Sequence, residues 1–176
     1  MCDVPYREAV GALNWAALTT RPDIAFAVTT VACFGANPRP THWEAVKRIF
    51  RYLAGMHNLC LTYGETRHVL EGYADADGSM AEDRRAILGY AFLIDGGAVS
   101  WSSKWQEIVS LSTTESEYVV ATHGMKEGLW LRSLLSKIFG PLSNPLTLFS
   151  DNQAAITLTR DHQYHTRTKH IDVRYH

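Results

Sequence analysis

The spacing of apolar residues in this 176-residue chain first changes near residue 57, and that change divides what it can fold into. Before it the period is helical. In YREAVGALNWAAL, Val10, Leu13, Ala17 and Leu18 recur at helical spacing. Pro22 opens a second helical stretch, with stop signals at Gly35 and Asn37. In NPRPTHWEAVKRIFRYLAGM, Thr41 is a good N-cap with Glu44 three residues on, and Trp43, Val46, Ile49, Phe50 and Leu53 form the stripe. Gly55 ends it. Residues 5–56 are predicted to be three helices packed on one another.

After the change, LCLTYG and HVLEGYADA read as short strands. ILGYAFLIDGGAVSWSS reads as two strands joined at Asp95-Gly96-Gly97, a hairpin signal, and EIVSLS as a third strand of the same meander. TTESEYVVATHGMKEGLWLRSLLSKIF is a long helix capped by Thr113 or Thr114. Tyr118, Ala121, Met125, Leu129, Leu131, Leu134, Leu135 and Ile138 line its apolar side. LTLFSD is a buried strand, NQAAITLTR a helix, DHQYHTRTKH a polar loop, and HIDVRYH the first turns of another helix. Antiparallel strands followed by helix, strand and helix predict a mixed α/β fold, a mixed sheet flanked by helices and preceded by a small helical segment.

Bulk properties exclude several classes. With 46% hydrophobic and 20% charged residues the chain can build a core. A net charge of −1 argues against a strongly basic nucleic-acid binder and leaves room for a local basic patch. Cys2, Cys33 and Cys60 are odd in number and widely spaced, with no CxxC, which disfavours zinc and a disulfide framework and suits a reducing compartment. MCDVPYREAV has no signal-peptide core, and IAFAVTTVACF is too short to span a bilayer. A soluble intracellular protein with no membrane partner is expected.

Several carboxylates fall at element ends. Asp75 closes a strand in YADADGS, Glu115 and Glu117 lie in the first turn of the long helix, Asp151 ends LTLFS, and Asp172 sits in the last helical turn. Ligands collect at such ends in open mixed sheets. Carboxylates gathered there repel unless cations neutralise them. Hard oxygen donors without a Cys or His cluster suit Mg²⁺ or Mn²⁺. Each residue also fits an ordinary role: a turn or cap aspartate, a glutamate on the helix dipole, a solvated tail residue. Spacing alone leaves that choice open. Asp75 and Asp77, two apart in a strand, share a face.

PYREAVGALNWAALTTRPDIAFAV and HWEAVKRIFRYLAGM resemble the end of the reverse-transcriptase region of copia-type LTR retrotransposon polyproteins. YADADG, RRAILGYAFLIDGGAVSWSSKWQEIVSLSTTESEYVVA, KEGLWLR, SDNQAAI and RTKHIDVRYH resemble the ribonuclease H domain of the same polyproteins. The resemblance implies a helical remnant of the reverse-transcriptase thumb or connection at 1–57. It implies an RNase H-like fold with a five-stranded mixed sheet at 58–176, its C-terminal helix cut short at His176. The implied activity is hydrolysis of the RNA strand of RNA–DNA hybrids with two Mg²⁺ ions, Mn²⁺ being a possible substitute, with no small-molecule cofactor. The implied setting is a cytoplasmic virus-like particle or the nucleus, beside the rest of a reverse transcriptase.

Matched motif by motif, the resemblance puts the metal-binding and catalytic carboxylates on Asp75, Glu117, Asp151 and Asp172. Glu115 lies roughly 200° around the helix from Glu117 and cannot aim at the same metal. Asp77 reads as the start of a turn with Gly78 and Ser79. Arg167, Lys169, His170 and Lys104 are the candidate contacts to nucleic-acid phosphates, the alternative for the basic tail being a solvated loop. No Asp-Asp pair occurs, so polymerisation is not expected, and Gly78 stands where many family members have Trp. The alternative reading is a non-catalytic, truncated transposon relic that binds nucleic acid or a reverse-transcriptase partner.

Overall fold

A computed structural model describes residues 4–64, 69–77, 86–106, 112–142 and 144–160. The chain divides into two compact units, Met1–Thr62 and Tyr63–His176.

The first unit is helical: α1 (Tyr6–Thr19), a short 3₁₀ turn (Pro22–Ile24), α2 (Ala25–Ala32) and α3 (Pro40–Gly55). Leu13, Val28 and Val46 are almost fully buried at its centre, and the Tyr6 hydroxyl donates to the Val31 carbonyl at 2.7 Å, fastening α1 to α2. α3 starts two residues earlier than its sequence signal. Pro40 takes the first helical position, where its missing N–H costs nothing and its fixed φ is already helical. Arg39 is therefore the cap, and its N–H donates to His42 Nδ1 at 3.1 Å. Thr41 and Glu44, expected as a capping box, lie inside the helix. Phe50, expected in the stripe, is exposed.

The second unit holds β1 (Leu70–Asp77), β2 (Ile87–Ile94), β3 (Gly97–Trp105), α4 (Thr113–Phe139), β4 (Thr147–Phe149) and α5 (Gln153–Arg160). The sheet order is β3-β2-β1-β4, with β4 parallel to β1 and the other pairs antiparallel. Asp95 and Gly96 both take positive φ, 51° and 82°, giving the tight two-residue turn whose twist matches the flanking strands.

The described residues contain four strands where five were expected. LCLTYG is not a strand. It reaches the β2–β3 hairpin through isolated hydrogen bonds, Tyr63 hydroxyl to the Ala98 carbonyl at 2.7 Å and Gly64 N–H to the Asp95 carbonyl at 3.5 Å, rather than through a ladder. EIVSLS falls largely on residues 107–111, outside the described residues.

α4 packs on one face of the sheet. Its cap is Ser112, not Thr113 or Thr114: the Ser112 hydroxyl accepts the Glu115 N–H at 3.2 Å. The buried stripe also differs from the expected one. Tyr118, Leu131 and Leu135 are buried as expected, but Met125, Leu129, Leu134 and Ile138 are exposed, while Val120, Gly124 and Gly128 face inward instead. Two glycines let the helix approach the strands closely. A Cβ on Gly128 would lie 2.7 Å from Leu146 Cδ2 and 2.9 Å from Phe92 Cε1, inside van der Waals contact. No helix among the described residues is long and apolar enough to cross a membrane.

Candidate metal centre

β1 alternates strictly. Leu70, Gly72, Ala74 and Ala76 are buried, Ala74 and Ala76 against Tyr118, Val119 and Val120 of α4, while Tyr73, Asp75 and Asp77 are exposed on the other side. The strand does not stop at Asp75, as expected, but continues to Asp77, which pairs with Ile87. Asp75 is therefore a ladder residue opposite Gly89, not a turn residue. Gly78 and Ser79 lie outside the described residues.

Asp151 follows β4, the strand parallel to β1. The cap of α5 is its neighbour: Asn152 Oδ1 accepts the Ala155 N–H at 3.0 Å. The side chain of Asp151, which is exposed, is thus released from the capping role that its position suggests. Glu117, within the first turns of α4, is only 6% exposed, which removes it from the usual solvated role of a glutamate on the helix dipole.

These three side chains converge. One carboxylate oxygen each from Asp75, Glu117 and Asp151 lies within 4.8 Å of the others. Among the described residues Asp77 and Glu115 fall outside this group. For Asp77 the reason is its place one pleat beyond Asp75; for Glu115 it is the rotation of the helix between the two glutamates.

Glu117 is the distinctive member. Its Oε1 accepts the Ala76 N–H at 3.3 Å, which ties the start of α4 to the end of β1. Its Oε2 is buried and accepts no hydrogen bond among the described residues. Burial pushes the Glu117 carboxyl up to about 7; the Ala76 N–H works against this, and the negative charges of Asp75 and Asp151 add to it. When protonated, Glu117 shares its proton with Asp75, which raises it further. The donor set is oxygen only, as Mg²⁺ and Mn²⁺ prefer. A cation among the three would give the orphaned oxygen a partner and reverse each of the unfavourable charge effects.

The other expected residues are dispersed. Asp172, Arg167, Lys169 and His170 lie outside the described residues. Lys104 is exposed near the end of β3 and pairs with Leu88, which pairs with Ala76. It stands two strands from β1, roughly 10 Å by strand spacing, and is not part of the carboxylate group. The sequence reading missed the Ala76 N–H, for which a main-chain donor leaves no sequence signal. It also missed Gly124 and Gly128, whose four-residue separation within a helical period was the available sign of close packing.

Fold and cluster together define a mixed α/β protein with an acidic site beside two parallel strands. Comparison with known proteins narrows the class. The chain is 50% identical over 179 residues to the retrovirus-related Pol polyprotein from transposon TNT 1-94 of Nicotiana tabacum, across all of this chain and 13% of the polyprotein. It is 38% identical over 174 residues to the retrovirus-related Pol polyprotein from transposon RE2 of Arabidopsis thaliana, across 97% of this chain and 12% of that one. It is also 44% identical over 133 residues to secreted RxLR effector protein 161 of Plasmopara viticola, covering 74% of this chain and 94% of that protein. No protein-family model matches the chain, and no solved structure does. Over nearly its whole length the chain is thus similar to a segment of the retrovirus-related Pol polyproteins of plant transposons, which supports a fragment of a copia-type Pol polyprotein.

Proposed function

We propose that the second unit is an RNase H-like domain from the C-terminal part of such a polyprotein and hydrolyses the RNA strand of RNA–DNA hybrids. The observation that carries this reading is the convergence of Asp75, Glu117 and Asp151, with a buried carboxylate oxygen that lacks a partner. Asp172, from the KHID motif, is the proposed fourth member. The resemblance of the motifs around all four residues supports the same reading, as does kinship with transposon Pol polyproteins.

In this reading the three carboxylates hold Mg²⁺, and Asp172 completes the set. The bound ions supply an activated water and stabilise the leaving oxygen of the scissile phosphate. Glu117 must be deprotonated to serve as a ligand, and its anchor on the Ala76 N–H holds one oxygen still while the other faces the site. Asp75 and Asp151, being exposed, bring the site to a surface that a duplex can reach. Lys104, Arg167, Lys169 and His170 meet backbone phosphates. RNA is distinguished from DNA by 2′-hydroxyl contacts and groove shape.

The test is to incubate the purified chain with an end-labelled RNA–DNA hybrid and Mg²⁺, beside Asp151→Asn. The expected result is cleavage of the RNA strand alone, abolished in the variant and by chelation. Cleavage no greater than that of the variant would overturn the reading, and hybrid binding without cleavage would point to a non-catalytic relic instead.

A further inference from the structure

A cavity of about 480 Å³ opens between α2 and α3 in the helical unit, a size usual for small-molecule sites. Its origin is local. Ala27 of α2 and Ala45 of α3 both line it, and their methyl groups leave unfilled the space that leucines would take. The floor is apolar and dry: Ile24, Val31 and Ile49 are all buried. Two aromatic side chains form the walls. Phe26 and Tyr52 line the cavity yet stay 49% and 39% exposed, so an apolar ring laid against them would remove further apolar surface from water.

Most polar groups at the cavity are engaged within the unit. The Thr30 hydroxyl donates to the Phe26 carbonyl at 2.9 Å. Asp23 accepts from Arg21 at 2.9 and 2.7 Å and is hydrogen-bonded to Tyr52 as well. Arg48 is the exception. It lines the cavity, is exposed, and makes no hydrogen bond or ion pair among the described residues. Glu44, one turn before it, is bridged to Lys47 instead. With Asp23 offset by Arg21, the charge left at the cavity is the Arg48 guanidinium. A guanidinium beside an apolar cavity holds a carboxylate or sulfonate in a fixed, two-pronged geometry.

We propose that the α2–α3 cavity is a binding site for a small aromatic anion. Its ring lies against Phe26 and Tyr52 over the apolar floor, and its carboxylate or sulfonate is held by Arg48. Size, apolar lining and a cation without a partner all select the same ligand class. The site shares no residue with the carboxylate cluster and does not rest on the metal reading.

The probe is 8-anilinonaphthalene-1-sulfonate, titrated into the full chain by fluorescence and calorimetry. It should bind one site per chain with a Kd of about 10–100 µM. Ala27→Leu/Ala45→Leu, which fills the cavity, should abolish this binding without lowering the melting temperature. Arg48→Gln should weaken it at least about tenfold, while N-phenyl-1-naphthylamine, the same ring system without the sulfonate, should bind parent and Arg48→Gln alike. Arg48 is an exposed side chain, so that comparison holds even where the filled variant fails to fold. Leu129→Ser/Trp130→Ser, which strips exposed apolar surface from α4, should leave the titration unchanged. Binding insensitive to Arg48→Gln, binding that survives in a folded filled variant, loss of binding in the α4 variant, or several sites per chain would each overturn the proposal.

Discussion

Asp23 in the helical unit and Glu117 in the sheet unit are both hydrogen-bonded carboxylates, one exposed and one buried, and the protein treats them in opposite ways. Asp23 receives two guanidinium hydrogen bonds from Arg21, at 2.9 and 2.7 Å, beside the Tyr52 ring. Those bonds hold its carboxyl below the usual carboxylate range. Glu117 receives one main-chain N–H, faces two more carboxylates, and is pushed up to about 7 by burial. A structural charge is neutralised where it stands. One left with like charges around it, and with a buried oxygen orphaned, is suited to a cation from outside. The contrast separates scaffold from site without reference to any relative.

Breaking the site has the largest expected effect. On the proposed function, Asp151→Asn and Glu117→Gln should each lower Mg²⁺-dependent cleavage of a hybrid by at least roughly a hundredfold, because each would remove a proposed metal ligand. Asp77→Asn should spare most activity. An inactive Asp77→Asn beside an active Asp75→Asn would mean that the wrong aspartate has been given the site.

Breaking the scaffold under the site comes next. Gly128→Val forces branched carbon against Leu146 and the fully buried Phe92. It should cost about 1–3 kcal/mol of stability, read by urea denaturation. Gly11→Ala, on α1 with open space at its Cβ, should be neutral or mildly stabilising.

The pH dependence sharpens the contrast. Glu117 has a folded pKa of about 7 against an ordinary 4.5, so the folded state holds the proton more tightly than the unfolded state does. Stability of the metal-free protein from this group is therefore present at pH 4.5 and below, and is lost as pH rises to about 7. Glu117→Gln keeps the shape and removes the charge. At pH 8 without metal it should melt higher than the parent, by roughly 1–3 kcal/mol, with the gain absent at pH 4.5. Added Mg²⁺ should raise the melting temperature of the parent at pH 8 and do much less at pH 5. A Glu117→Gln protein no more stable than its parent at pH 8 would show that the site carries no such charge penalty.

Much of this was legible in the sequence, for identifiable reasons. The hairpin was readable because Asp95-Gly96 is the residue pair that tolerates two positive φ values. The helices of the first unit were readable because their apolar period is strong. Cap positions were not, since the caps Arg39 and Ser112 each stand close to a threonine, and Pro40 at the first helical position and the Ser112 hydroxyl decided between them. The face of α4 was legible only in part: Tyr118, Leu131 and Leu135 are buried as their period suggests, but the inward positions also include Gly124 and Gly128, which carry no hydrophobic signal, while Leu129 and Ile138 are apolar and exposed. The convergence of Asp75, Glu117 and Asp151 was suggested by motif likeness, but its geometry depends on three distant segments meeting, which no local period encodes. The release of Asp151 from capping by Asn152 was equally invisible.

The smallest effect lies at the paired carboxylate. Arg21 and Asp23 keep 13% and 29% of their side-chain surface, so solvent screens the pair and its net contribution is at most about 1 kcal/mol. The folded carboxyl of Asp23 is lowered, chiefly by the Arg21 hydrogen bonds. Its contribution is therefore present above the unfolded pKa and lost as pH falls through the folded one, the reverse of Glu117. Asp23→Asn should destabilise the chain slightly at pH 7 and flatten the acid limb of the stability profile, whereas Glu117→Gln flattens the limb leading to neutral pH. Melting curves of the two variants across pH 3 to 8, in the absence of metal, place the two slopes side by side. If both variants altered the same limb, the division between a neutralised structural charge and a charge held for a cation would fall.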